Sequence, residues 1–106
     1  MPPEVTVAVP SHERALRLRW LLNALEEQDL EPDRWELVVV HDSRGDETER
    51  LLDSHPISDR LAVHRRRLEP GTGKPARQRN VAWRLASAPL VAFTDDDCRP
   101  EPGWLR

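Results

Sequence analysis

Leu90-Val91-Ala92-Phe93-Thr94-Asp95-Asp96-Asp97 decides the fold. Four apolar or small residues follow Pro89 and run straight into three carboxylates. Proline is excluded from helix interiors and suits the start of a strand. The run therefore reads as a short strand of a parallel sheet, buried on both faces. Its carboxylates emerge at the strand's C-terminal end, where open α/β sheets place their ligands. Asp95 and Asp97 are two apart, so in an extended chain they project the same way, with Asp96 opposed. Converging carboxylates repel unless a cation lies between them, and an all-oxygen donor set suits Mg²⁺ or Mn²⁺. An acidic turn after a strand is the competing reading, and the rest of the chain bears on the choice.

With 106 residues the chain is one domain at most, with a thin core. Charged residues make up 33% and hydrophobic ones 38%, the balance of a globular rather than a disordered chain. A formal net charge of −3 gives no general attraction to nucleic acid or to an anionic membrane. Cys98 is the only cysteine, which excludes an internal disulfide framework and fits a reducing compartment. No basic leader precedes an apolar segment, and the longest strongly apolar run, Leu37 to Val40, is too short to cross a bilayer. These features predict a cytoplasmic protein.

From the N-terminus, Val5 to Val9 reads as a β-branched strand stopped by Pro10, with Ser11 as the N-cap of a helix from about Glu13 to Gln28. Leu18, Leu21, Leu22 and Leu25 make that helix's apolar stripe, and Trp20 beside it reads as core. A turn at Glu31-Pro32-Asp33 leads to a second strand, Trp35 to Val40. Asp46 and Glu49 have the spacing of a capping box for a short helix ending near Ser54. Leu61, Ala62 and Val63 support a third strand from Arg60 to His64; His55 and His64 receive no role. Gly73-Lys74 lacks the spacing of a phosphate loop. Pro75 suits a helix's first turn, with Gln78, Val81, Ala82 and Leu85 as its buried stripe. Cys98 reads as a small packing residue in a proline-stiffened tail.

Strands alternating with helices imply a parallel sheet with right-handed crossovers. Ser11-His12, His41-Asp42 and the aspartates at 95–97 then lie at one rim, the geometry of a nucleotide or phosphate site.

These residues resemble the N-terminal, nucleotide-binding half of a family 2 glycosyltransferase with the GT-A fold. Val7 to Arg14 is similar to that family's V-P-[ST]-Y-N-R strand end, and Val38 to Thr48 to its V-V-D-D-G-S-x-D-x-T loop. Ala76 to Asn80 resembles its Ala-Arg-Asn helix start, Phe93 to Asp97 its DxD strand, and Pro102 to Leu105 the segment that often follows. His12 and Glu13 stand where Tyr and Asn are usual, and His41 replaces the first of two Asp.

The resemblance implies a three-layer, Rossmann-like parallel sheet of about four strands in the order 3-2-1-4. It implies a nucleoside-diphosphate sugar as donor, Mn²⁺ or Mg²⁺ as cofactor, and an acceptor that is a saccharide, a lipid or a small molecule. Asp97 would ligate the metal directly, and Asp95 would do so through water or hold the ribose. Asp42 would contact base or ribose; Pro10, Ser11, His12, Arg14 and Asp96 fall among the nucleotide-binding positions. Arg77 or Arg79 would pair with the diphosphate through its guanidinium fork. His12, His41 and Asp96 are the nearby candidates for a general base, but the resemblance places the family's base, with its acceptor half, beyond Arg106. The chain is thus expected to be one truncated domain, inactive alone, that self-associates through its fourth strand. Attachment to the inner membrane face would come through the absent part. A non-catalytic nucleotide-sugar-binding fragment and a nucleotidyltransferase-like enzyme remain the alternatives. A phosphatase with an aspartate nucleophile fits poorly, because the first strand ends in Pro10-Ser11.

Overall fold

Two runs rich in β-branched residues, Val5–Ser11 (β1) and Trp35–His41 (β2), form the middle of a parallel sheet, paired from Val5 opposite Trp35 to Ser11 opposite His41. Val63–Arg67 (β3) lies beside β2 and Leu90–Phe93 (β4) beside β1, giving the order β3-β2-β1-β4. This is the 3-2-1-4 sheet expected from the sequence. The helices are Ala15–Glu26 (α1), Glu47–Ser54 (α2), Ile57–Arg60 (α3) and Pro75–Leu85 (α4). The computed structural model describes residues 3–12, 15–42, 45–69, 75–95 and 98–105, and for 75–77 the backbone alone.

Alternation along β1 and β2 divides the core into two layers. Val7, Val9, Leu37 and Val39 face one side, where they meet the α1 leucines at 18, 21, 22 and 25 together with Leu51, Leu52 and Ile57. Ala8, Val38 and Val40 face the other, under Ala82 of α4, with Val81, Leu85 and Val91 packed at the margin. Each buried leucine contributes about 1.5–3 kcal/mol from burial, so the first layer holds most of the stability.

Several expectations are corrected. Pro10 does not stop β1; it lies within the strand. Thr94 N–H donates to Ala8 O at 3.1 Å, so by alternation Pro10 turns its missing donor toward the β4 side, past the end of β4's pairing. Ser11 is the last residue of β1, and its expected capping of the helix falls on residues 13 and 14, which lie outside the described residues. The third strand begins at Val63, not Arg60, because Ile57–Arg60 takes a helical turn first. Asp46 does occupy the N-cap of α2, but its side chain makes no cap bond. It accepts instead from Arg67 Nη1 at 2.9 Å, and that bond holds its carboxyl below the usual range. Trp20 is not core: it is 48% exposed, and Arg99 stacks 5.1 Å from its ring centroid. β4 is not buried on both faces either, since Leu90 is 64% and Phe93 42% exposed.

At the end of the sheet opposite the rim, buried Glu36 accepts from Thr6 Oγ1 at 2.8 Å, Ser87 N–H at 2.9 Å and Ser87 Oγ at 2.5 Å. Burial pushes this carboxyl up, but the Ser87 and Thr6 bonds outweigh it and hold the group below its ordinary value. The cluster anchors the turn between α4 and β4. The tail is pinned separately. Gln28 Nε2 donates to Glu101 O at 2.7 Å, Leu105 N–H donates to Gln28 Oε1 at 3.2 Å, and Asp29 N–H donates to Pro102 O at 2.7 Å.

Candidate functional site

Because β1 and β2 are parallel and in register at Ser11 and His41, the residues that follow them emerge side by side. Asp42 is buried there. His12 Nδ1 bonds its Oδ1, and a ring nitrogen facing a carboxylate carries the hydrogen. Gln78, buried on the face of α4 that meets the sheet, donates from Nε2 to Asp42 Oδ1 at 3.0 Å and to Ser11 O at 2.9 Å. Pro10 and Ser11 are buried at the end of β1, beneath this group. The structure thus brings Pro10, Ser11, His12 and Asp42 together.

The second half of the rim lies at the end of β4. Asp95 follows Thr94 and accepts from Arg79 Nη2 at 3.3 Å, with both side chains about half exposed (57% and 48%). Arg79, Phe93, Asp95, Arg99 and Trp104 share a groove of ≈ 360 Å³. Arg79 is therefore near the acidic end of the site. Arg14, Asp96 and Asp97 lie outside the described residues, as does the side chain of Arg77. The general base expected beyond Arg106 lies outside them too, because the described residues end at Leu105 and the sequence at Arg106 itself.

Asp95 offers oxygen alone, the donor type hard divalent cations take, and it is exposed at the rim. Among the described residues no three metal-binding side chains gather at one point. A cation at Asp95 would need a further carboxylate, the part the sequence assigns to Asp97.

One candidate moves away from the rim chemistry. His41 is fully buried and donates from Nε2 to Glu49 Oε1 at 3.0 Å, and its Nδ1 has no partner among the described residues. A ring sealed there reaches no acceptor hydroxyl, which removes His41 as a general base. Cys98 is exposed, not a packing residue.

Sequence reasoning placed Gln78 in a buried stripe and missed its contact with Asp42. The available signal was an amide at a core position, since a buried polar group demands partners. His55, which received no role, is a local clamp. Ile57 N–H donates to its Nδ1 at 3.1 Å, and its Nε2 bonds Asn23 Oδ1 at 2.7 Å. Burial lowers its pKa.

The parallel 3-2-1-4 sheet, with acidic and basic groups collected at one rim, is that of an α/β domain of the GT-A type. The chain belongs to glycosyl transferase family 2, whose model matches residues 6–106. It is 34% identical over 92 residues to the poly(ribitol-phosphate) beta-N-acetylglucosaminyltransferase TarS of Staphylococcus aureus, covering 87% of this chain and 16% of that protein. It is 33% identical over 104 residues to validoxylamine A glucosyltransferase of Streptomyces hygroscopicus subsp. limoneus, covering 98% of this chain and 22% of that protein. The crystal structure of TarS 1-349 in complex with UDP superposes with a TM-score of 0.87 at 30% identity, covering 96% of this chain and 30% of that one. The mannosyltransferase PcManGT of Pyrobaculum calidifontis, in complex with GDP-Man and Mn²⁺, superposes with a TM-score of 0.74 at 33% identity, covering 92% and 28%. The chain thus spans 16% and 22% of the length of these two curated relatives.

Proposed function

We propose that this chain binds a nucleoside-diphosphate sugar at the rim and serves as the donor-binding part of a glycosyltransferase. The observation that carries the reading is the convergence of buried Asp42, with its His12 and Gln78 partners, and the Asp95–Arg79 pair at the C-terminal ends of one parallel sheet. Asp42 takes the base or ribose and Arg79 the diphosphate, with Arg77 as a second cation for it. Asp95 and Asp97 would hold Mn²⁺ or Mg²⁺, which when bound neutralises charge on the diphosphate oxygens. Of the candidates for a general base, His41 is sealed away, His12 is engaged with Asp42 and Asp96 lies outside the described residues, so in this reading transfer to an acceptor hydroxyl draws on a base supplied from beyond Arg106, and the 106 residues alone turn over no sugar.

Calorimetric titration of UDP, GDP and dTDP, with and without Mn²⁺, tests this. Mn²⁺ strengthens binding, and Asp97→Ala abolishes the gain. Binding indifferent to both overturns the metal assignment. Asp42→Ala weakens nucleoside diphosphate binding by about 1.5–3 kcal/mol, the worth of a hydrogen bond to a charged group, and leaves inorganic pyrophosphate binding unchanged. Equal losses for both ligands would make Asp42 structural.

A further inference from the structure

We propose that Gln78 is the positioning residue of the nucleotide site, acting through Asp42. The inference rests on the reading of the rim as a nucleoside diphosphate site. Gln78 is 3% exposed and sits where α4 crosses the ends of β1 and β2. Its amide faces two acceptors at once, Ser11 O at 2.9 Å and Asp42 Oδ1 at 3.0 Å. A carbonyl oxygen and a carboxylate both require a donor, so the NH₂ group must lie there and both its hydrogens are used. His12 Nδ1 bonds the same Oδ1. Two donors on one oxygen fix the carboxylate plane from both sides. Among the described residues no protein donor reaches Oδ2, which is left for a ligand donor. Through Ser11 O, the same amide locks Asp42 to the end of β1. Gln78 thereby joins three elements at one carboxylate without touching the ligand.

Three variants separate positioning from packing. Gln78→Met keeps length and volume but removes both donors. Gln78→Glu puts a second carboxylate beside Asp42, and such a pair holds a proton that restores a donor as pH falls. Gln78→Asn keeps the amide on a shorter stem. In calorimetric titration of UDP and GDP, Gln78→Met loses about tenfold in affinity, the scale of one hydrogen bond to a charged group, while pyrophosphate binding is unchanged. Gln78→Glu binds nucleotide poorly at neutral pH and recovers relative to wild type as pH is lowered. A second readout needs no ligand: the ¹⁵N shifts of the His12 ring move in Gln78→Met and Gln78→Glu, and move less in Gln78→Asn. Wild-type affinity in Gln78→Met, or a His12 ring blind to all three changes, overturns the proposal. Failure of the wild-type chain to bind any nucleotide would refute the function reading, while the ring shifts still decide whether Gln78 sets Asp42.

Discussion

The two edges of the sheet are built in opposite ways. β3 reads Val63-His64-Arg65-Arg66-Arg67 and is exposed beyond its first residue. Its arginines fold back onto α2 and the turn before it: Arg65 pairs with Glu49 at 3.2 Å and with Asp53, and Arg67 pairs with Asp46 at 2.9 Å and donates to Gly45 O at 2.8 Å. Charge on an outer strand resists pairing with another chain. β4 reads Leu90-Val91-Ala92-Phe93, with no charge. Its pairing with β1 leaves the backbone groups of Val91 and Phe93 turned outward, and Leu90 and Phe93 are largely exposed. β3 is composed as a boundary, whereas β4 is composed as an inner strand. The rim proposed to bind nucleotide ends on the second kind of edge, beside Asp95.

The largest effect should appear in solution mass. Light scattering should find the 106-residue chain self-associating, and giving β4 the character of β3 with Leu90→Arg and Phe93→Arg should return it toward a monomer. A wild-type monomer at all concentrations would break the comparison and would mean that the pinned tail shields β4. The next effect is in stability. Ile57 is fully buried in the layer that packs against Val63 near β3, so Ile57→Ala should cost about 2–5 kcal/mol in urea unfolding. Leu90→Ala, on the exposed edge, should stay within about 0.5 kcal/mol. Similar losses at the two positions would show that β4 is covered. Smaller than the Ile57 loss is that of Arg65→Ala, an exposed ion-pair change worth up to about 1 kcal/mol that should shrink as salt is added.

The smallest effect sharpens the picture of the β3 side through pH. Burial lowers the pKa of His55, so the unfolded chain binds the proton more readily. Its contribution is whole above the ordinary value of 6.5 and is lost as pH falls from there toward the folded value. Protonation would also place a hydrogen on the Nδ1 that accepts from Ile57. Urea midpoints of wild type and His55→Asn should converge between neutral and mildly acidic pH. A constant gap would show that His55 does not titrate in that window.

The sheet order was legible only through the family resemblance, whereas the positions that gather at the rim were legible because strands one, two and four run into polar residues and parallel register brings those ends together. β3 was misplaced because Leu61, Ala62 and Val63 supplied the apolar pattern, while the real strand pairs with β2 from Val63 to Arg67 and ties its arginines to Glu49, Asp53 and Asp46 by ion pairs that periodicity does not register. Trp20 misled for a related reason: its position beside the leucine stripe suggested burial, but its contact is Arg99 from the tail. Gln78 was hidden because a stripe counts positions, and the meaning of an amide there depends on strands that end 36 and 67 residues away.

The partner of β4 is the first strand of the chain, and this orders events during synthesis. The core layer under α1 draws its fully buried members from Val7 to Ile57, so it is complete before α4 or β4 has left the ribosome. β1 must then wait with one side unpaired until residue 90 arrives. Closing that longer loop, set against the roughly 30 residues from β1 to β2, adds about 0.9 kcal/mol of entropy cost. Asp42 is placed beside β1 early, but Gln78, Arg79 and Asp95 reach it only with the last third of the chain. The nascent protein has a fold well before it has a site.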